Sequence, residues 1–314
     1  MSFAKHIPLP QRVAWPVAGE LRETLFWPCR GAKPGAVLLL VPGNPGLIDF
    51  YIDFAATVHK AHGDSMEIIG VSHLGHTRFS DNGGLVYRNP KVYSLEEQIA
   101  HMVAVFDTLD REYSQVSPRP KMLLCGHSVG CYISEKIVEC RGDRIDRVFS
   151  LFPTVDHIAD TPRGRQLQPM FLPGVRQVVA GATELLTWIL PASALYAVAG
   201  SSSSLNNDNA RIVVDKMLHS SCVSNVLKMA ADEMAAITDL DTELYGSLGN
   251  KFVMYYGAAD HWVPQSRYER MKKANTKGRV VLCQSGIPHS FVTSHPKEMA
   301  VVLASLLRDE MDQA

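Results

Sequence analysis

The stretch LLCGHSVGCYI, Leu123–Ile133, decides how the chain is read: an apolar run, a glycine-flanked serine, then apolar residues at helical intervals. A three-position match to GxSxG arises by accident in roughly one chain of this length in ten, so the bare pattern says little. Its setting says more. A serine is raised above a sheet as a nucleophile only on a sharp strand-to-helix turn. KMLLC reads as the strand before that turn, and VGCYISEKIVEC as the helix after it.

Working outward, AVLLLV (36–41), EIIGVS (67–72), KMLLC (121–125), RVFSLF (147–152), KFVMYY (251–256) and RVVLC (279–283) are short apolar runs without strict alternation. That texture belongs to strands covered on both faces. Between them, residues 49–62, 94–113, 129–140, 264–275 and 295–311 carry helical spacing. Ser94 and Glu97 fit a capping box, and Pro264 and Pro296 suit first helical turns. Alternation of this kind predicts an α/β fold with a mostly parallel central sheet flanked by helices.

From about Thr154 to Asn250 no strand is predicted, and strands then resume. The reading is a core of residues 1–153 and 251–314 with a helical cap, 154–250, inserted between sheet strands. Within it, Phe171–Gly200 carries only Arg176 and Glu184 as charges. Its uncharged part is interrupted by Pro191 and is shorter than the ~20 apolar residues of a spanning helix. It suits a buried helix pair, a cover for an apolar cleft, or shallow insertion into a lipid surface.

An exposed serine needs a base, and the base needs an acid to hold its tautomer. In the fold that uses this elbow, the chain order is serine, acid, histidine. KFVMYY leads into GAADHWVP and RVVLC into QSGIPHSF, so Asp260 and His289 each follow a strand at the carboxyl edge of the sheet, where open α/β sheets collect functional groups. Ser128, Asp260 and His289 are therefore the expected catalytic residues. Asp156, after RVFSLF, is the alternative acid. His261 is badly placed to serve its neighbour Asp260, and His295 starts the last helix. For the oxyanion, the N–H of Val129 and, in VPGNPG (41–46), that of Asn44 are expected, because Pro45 has none to give.

The 314 residues are 46% hydrophobic, enough for a substantial core. Lysine and arginine (31) balance aspartate and glutamate (32), which gives no electrostatic footprint for nucleic acid. The six cysteines show neither CxxC pairs nor a disulfide spacing, and buried thiols in a reducing compartment are expected. The N-terminus lacks the apolar core of a secretory signal, predicting a chain on the cytosolic side. SSSSLNNDN (201–209) is the one low-complexity run. His73 and His76 have no accompanying ligands for a metal. No cofactor is expected.

VPGNPG followed by Phe50 and Tyr51, SHLGH, GHSVG with Tyr132, LFPT, YYGAADHWVP and PHSF together resemble the lipid droplet-associated hydrolase family of the α/β-hydrolase superfamily. These motifs run from Val41 to Phe291, and PGNPG in the oxyanion loop is the distinctive one. The resemblance implies an α/β-hydrolase fold and a serine hydrolase of lipid esters. It also implies association with lipid droplets and the endoplasmic reticulum through the apolar cap. The family's serine, acid and histidine fall on Ser128, Asp260 and His289. Two alternatives stay open: a droplet coat or tethering protein with little turnover, and a soluble hydrolase of small esters.

Overall fold

The computed structural model describes residues 10–80, 86–87, 91–201, 207–283 and 285–312. Residues 1–9 of the proline-rich N-terminus and 202–206 of the serine-rich run lie outside the described residues. Eight strands form one sheet: β1 (Gln11–Val17), β2 (Glu20–Trp27), β3 (Ala36–Val41), β4 (Met66–Val71), β5 (Lys121–His127), β6 (Arg147–Leu151), β7 (Phe252–Gly257) and β8 (Arg279–Cys283). Their order is β1-β2-β4-β3-β5-β6-β7-β8. From β4 to β8 every pairing is parallel, while β2 runs antiparallel to both its neighbours.

The six runs read as strands are β3 to β8, displaced by two residues at most. β1 and β2 have no counterpart in that reading. Pro16 sits in β1, and β2 mixes Glu20, Arg22 and Glu23 into its apolar residues, which hides both from a pattern search. Pro16 is tolerable because β1 is an edge strand.

The period-two geometry of β3 divides the core. Val37, Leu39 and Val41 face one layer with Met102, Val105, Phe106 and Ile133; Leu38 and Leu40 face the other with Phe54, Val58, Leu303 and Leu307. The first layer is covered by α2 (Leu95–Tyr113) and α3 (Val129–Arg141). The second is covered by α1 (Ile52–His62) and the C-terminal helix Pro296–Asp312. The Ser94–Glu97 capping box is present, with the Glu97 N–H donating to Ser94 Oγ (3.2 Å) and the Ser94 N–H to Glu97 Oε2 (2.8 Å). Pro296 begins its helix, whereas Pro264 is the N-cap of the helix Gln265–Ala274.

Between β6 and β7 the described residues form helices and no strand. α4 (Pro162–Leu167) leads to α5 (Pro173–Ile189), α6 (Ala192–Gly200), α7 (Asn207–Ile212), α8 (Ser220–Ala236) and α9 (Thr242–Leu248). Several polar contacts tie this segment to the core. Lys216 Nζ bridges Glu23 Oε1 (2.5 Å) and Asp49 Oδ2 (2.8 Å), carboxylates that Arg12 also holds. The buried Asn225 accepts from the Tyr93 N–H (2.8 Å), and Asp232 accepts from that of Leu95 (3.1 Å).

Phe171–Gly200 is not a buried pair. Only Ala180 and Thr183 of α5 are buried, and α6 buries nothing. Val178, Leu185, Leu186, Trp188, Ile189 and Val198 are all at least half exposed, Trp188 at 82%. Among the described residues, no helix is long and apolar enough to cross a membrane.

Candidate active site

Ser128 joins β5 to α3 with φ 55° and ψ −124°, a conformation an L-residue holds only when its surroundings enforce it. Here they do. The Ser128 N–H donates to the Leu151 carbonyl (3.0 Å), and the Ser128 carbonyl accepts from the Cys131 N–H (2.9 Å). Gly130 cannot carry a side chain, because a Cβ would lie 2.2 Å from the Val41 carbonyl oxygen at the end of β3. The turn is thus wedged between two strand ends, and the serine hydroxyl projects from it.

His289, in the loop after β8, places Nε2 3.0 Å from Ser128 Oγ. Its Nδ1 lies 2.6 Å from Asp260 Oδ2, in the loop after β7. The ionised carboxylate can only accept, so Nδ1 carries the proton and Nε2 presents its lone pair to the serine hydroxyl. Burial alone would raise the Asp260 pKa. The adjacent His289 and the N–H groups of Val263 (3.0 Å) and Trp262 (2.7 Å), both on Oδ1, outweigh it and hold the carboxyl below its ordinary value.

The alternative acid is engaged elsewhere. Asp156 pairs with Arg270 (3.0 Å) and Arg267 (3.6 Å). His261 is exposed, and His295 precedes the last helix with Nδ1 against Ser294 Oγ (2.9 Å). Neither belongs to the constellation.

A second network, which no sequence pattern marks, lies behind the first. The buried His127, next to Ser128 in sequence, has Nε2 2.9 Å from the His289 carbonyl, which can only accept; Nε2 therefore carries the proton. Nδ1 then accepts from the Tyr51 hydroxyl (2.7 Å), whose oxygen accepts from the Gly43 N–H (2.8 Å). Burial lowers the His127 pKa to about 3, so the ring stays neutral and this direction of donation is fixed. The signals were present in GHSVG and in the FY after PGNPG, but nothing in sequence says that they meet.

The loop 42–46 is brought against the elbow, and a Cβ on Gly43 would lie 2.8 Å from that of Ser128. Asn44 follows directly. Its side-chain amide is committed to α8, donating to the Val226 carbonyl and to Glu233 Oε1, both at 3.0 Å. Only its backbone N–H is therefore left for an oxyanion. Val129 begins α3, where N–H groups have no intrahelical partner. His73 and His76 hold the loop from behind: His73 Nε2 donates to the Pro42 carbonyl (2.9 Å) and His76 Nδ1 to that of Pro45 (2.7 Å). Burial depresses both imidazoles, His76 to about 4. No group of metal-ligating side chains occurs among the described residues.

A cavity of about 790 Å3 opens at the amino ends of the strands, lined by Trp15, Phe26, Lys33 and Tyr113 among others. No member of the Ser128 constellation lines it, and size does not outweigh chemistry in locating the site. The facing hydroxyl, imidazole and carboxylate can do nucleophilic and proton-transfer work; the cavity shows no such grouping.

Residues 34–292 match the family model described as lipid-droplet associated hydrolase. A lipid droplet-associated hydrolase of Gallus gallus is 29% identical over 284 residues, covering 88% of this chain and 86% of that one. Its counterpart from Homo sapiens is 27% identical over 292 residues, covering 90% and 87%. A haloalkane dehalogenase structure from Agrobacterium tumefaciens superposes with a TM-score of 0.67 at 15% identity, covering 96% of this chain and 97% of the other. That likeness gives the fold, an α/β-hydrolase fold, and leaves the reaction to the site.

Proposed function

Because the chain belongs to the lipid-droplet associated hydrolase family, we propose that it is a serine hydrolase cleaving carboxylic esters of lipids at a droplet surface. The observation that carries this reading is the continuous hydrogen-bonded line from Ser128 Oγ through His289 to Asp260. Ser128 Oγ attacks the acyl carbon while His289 Nε2 takes its proton, and the oxyanion forms against the N–H groups of Val129 and Asn44. His289 returns the proton to the departing alcohol oxygen as the acyl carbon–oxygen bond breaks, leaving an acyl-Ser128 ester. Water, deprotonated by the same nitrogen, releases the fatty acid. Asp260 keeps Nδ1 protonated throughout and stabilises the transient imidazolium.

Lipid as the substrate class is supported by the outward apolar faces of α5 and α6. Transfer of one large apolar side chain out of water contributes about 1.5–3 kcal/mol. Leu185, Leu186, Trp188 and Ile189, clustered at one end of α5, therefore suffice for peripheral anchoring without a spanning helix.

The test compares emulsified triacylglycerol and sterol esters with a soluble short-chain ester, using wild type, Ser128→Ala, and a triple variant Leu185→Ser, Trp188→Ser, Ile189→Ser. Wild type hydrolyses both kinds, Ser128→Ala neither, and the triple variant loses only the emulsified substrates. Hydrolysis undiminished in Ser128→Ala overturns the mechanism. Unchanged emulsion activity and droplet recruitment in the triple variant overturn the surface role and favour a soluble esterase. Rescue of droplet phenotypes by Ser128→Ala favours a coat or tether.

A further inference from the structure

The hydrogen bonds of Asn44 join the putting-in-place of the oxyanion donor to the inserted helices. We infer that Glu233 is a positioning residue for the reaction: α8, through Glu233 and the Val226 carbonyl, sets the loop that presents the Asn44 N–H. This rests on the hydrolase reading above and extends it to a residue outside every motif.

Both hydrogens of the Asn44 amide are used, one on Val226 O and one on Glu233 Oε1, each at 3.0 Å. Val226 and Glu233 are seven residues apart, two helical turns, and so lie on one face of α8. Among the described residues the Asn44 Oδ1 has no hydrogen-bond partner, so the amide is oriented by its two acceptors on α8. Turning it over would set its oxygen against the Val226 carbonyl oxygen, which can only accept. Glu233 is itself buried, and burial raises its pKa to about 8 against the opposing pull of the Asn44 hydrogen bond. Burial thus favours the uncharged acid, and an oxygen of that group can accept from Asn44 without carrying a charge.

The same helix answers to the lipid-facing surface. α5 packs along α8, and Ser220 Oγ at the start of α8 donates to Glu184 Oε2 of α5 at 2.5 Å. On the other side of the loop, Tyr51 and His127 hold the Gly43 N–H. The oxyanion loop is therefore gripped from the sheet at Gly43 and from the inserted segment at Asn44. Releasing the second grip leaves the nucleophile, its base and the substrate surface intact but loosens one donor.

The experiment uses the full chain and a soluble short-chain ester, with Glu233→Leu, Glu233→Gln and Asn44→Ala. Glu233→Leu fills the site with an apolar side chain and removes the acceptor; kcat is expected to fall about 100-fold with KM within about threefold, the effect of a displaced oxyanion donor. Glu233→Gln restores an acceptor at the same place and returns kcat to within about fivefold of wild type. Asn44→Ala keeps its own N–H yet is expected to lose kcat as Glu233→Leu does, and the double variant Asn44→Ala, Glu233→Leu to lose no more than either alone. Asn44→Ala also decides the matter if Glu233→Leu does not fold. Wild-type kcat in Asn44→Ala, failure of Glu233→Gln to rescue, or additive losses in the double variant overturn the inference. An inactive wild type overturns instead the hydrolase reading on which it stands.

Discussion

Replacing Asp260 by Asn isolates what the carboxylate does for His289 while leaving the loop in place. Oδ1 accepts from the Trp262 and Val263 N–H groups at 2.7 and 3.0 Å, and Oδ2 faces His289 Nδ1 at 2.6 Å. An asparagine keeps its oxygen where two N–H groups demand one, so its NH2 must take the place of Oδ2. Facing a donor, His289 Nδ1 becomes an acceptor and its proton moves to Nε2, toward Ser128 Oγ. The base is then occupied before the reaction begins. In a Ser-His-Asp triad this exchange costs about 10^4 in kcat, or about 5 kcal/mol of transition-state stabilisation. The fold loses one charge-assisted hydrogen bond, about 1.5–3 kcal/mol. Steady-state hydrolysis of a soluble ester, alongside a urea melt, separates the two effects. Asp260→Asn within tenfold of wild type, or a larger loss in Asp156→Asn, would refute the assignment and move the acid one strand earlier.

Three further outcomes follow from the packing. Tyr51→Phe removes the hydroxyl joining Gly43 N–H to His127 Nδ1 and leaves two buried polar groups unpaired, so denaturant unfolding is expected to show a loss of about 2–6 kcal/mol. Gly130→Ala drives a Cβ to 2.2 Å from the Val41 oxygen; a loss of more than about 3 kcal/mol or failure to yield soluble protein is expected, and a wild-type melt contradicts the wedged elbow. The buried Glu135, which accepts from the Tyr245 hydroxyl, has its pKa raised to about 8, chiefly by burial. The native state thus holds a proton that the unfolded chain releases near pH 4.5, and stability falls as pH rises from there to about 8. Glu135→Gln lacks that slope, so its stability relative to wild type is expected to increase across this window in urea melts; parallel curves would place the carboxyl in water.

How far these features were legible in the sequence depended on whether a local pattern or a distant contact defined them. β3 to β8 are covered on both faces and read as apolar runs; Ser128, Asp260 and His289 each follow such a run, so the strand ends located them. β1 and β2 were illegible because an edge strand tolerates Pro16 and because Arg22 and Glu23 are buried with partners from other elements, Ser72 and His101 for one, Lys216 for the other. Tyr51 with His127, and Asn44 with Glu233, join positions 76 and 189 residues apart, separations at which no spacing rule operates. Composition marked Phe171–Gly200 as apolar but could not choose between burial and exposure. That choice is made by tertiary packing: α5 lies along α8 with Ala180 and Thr183 buried, while Trp188 faces outward.

Every step of the proposed reaction depends on Ser128 being a nucleophile activated by His289. Treating the folded protein with a fluorophosphonate and identifying the modified peptide by mass spectrometry tests it most directly. One adduct is expected, on Ser128, absent in Ser128→Ala and strongly slowed in His289→Ala. No adduct on folded wild type, or equal labelling of Ser128→Ala, would contradict it.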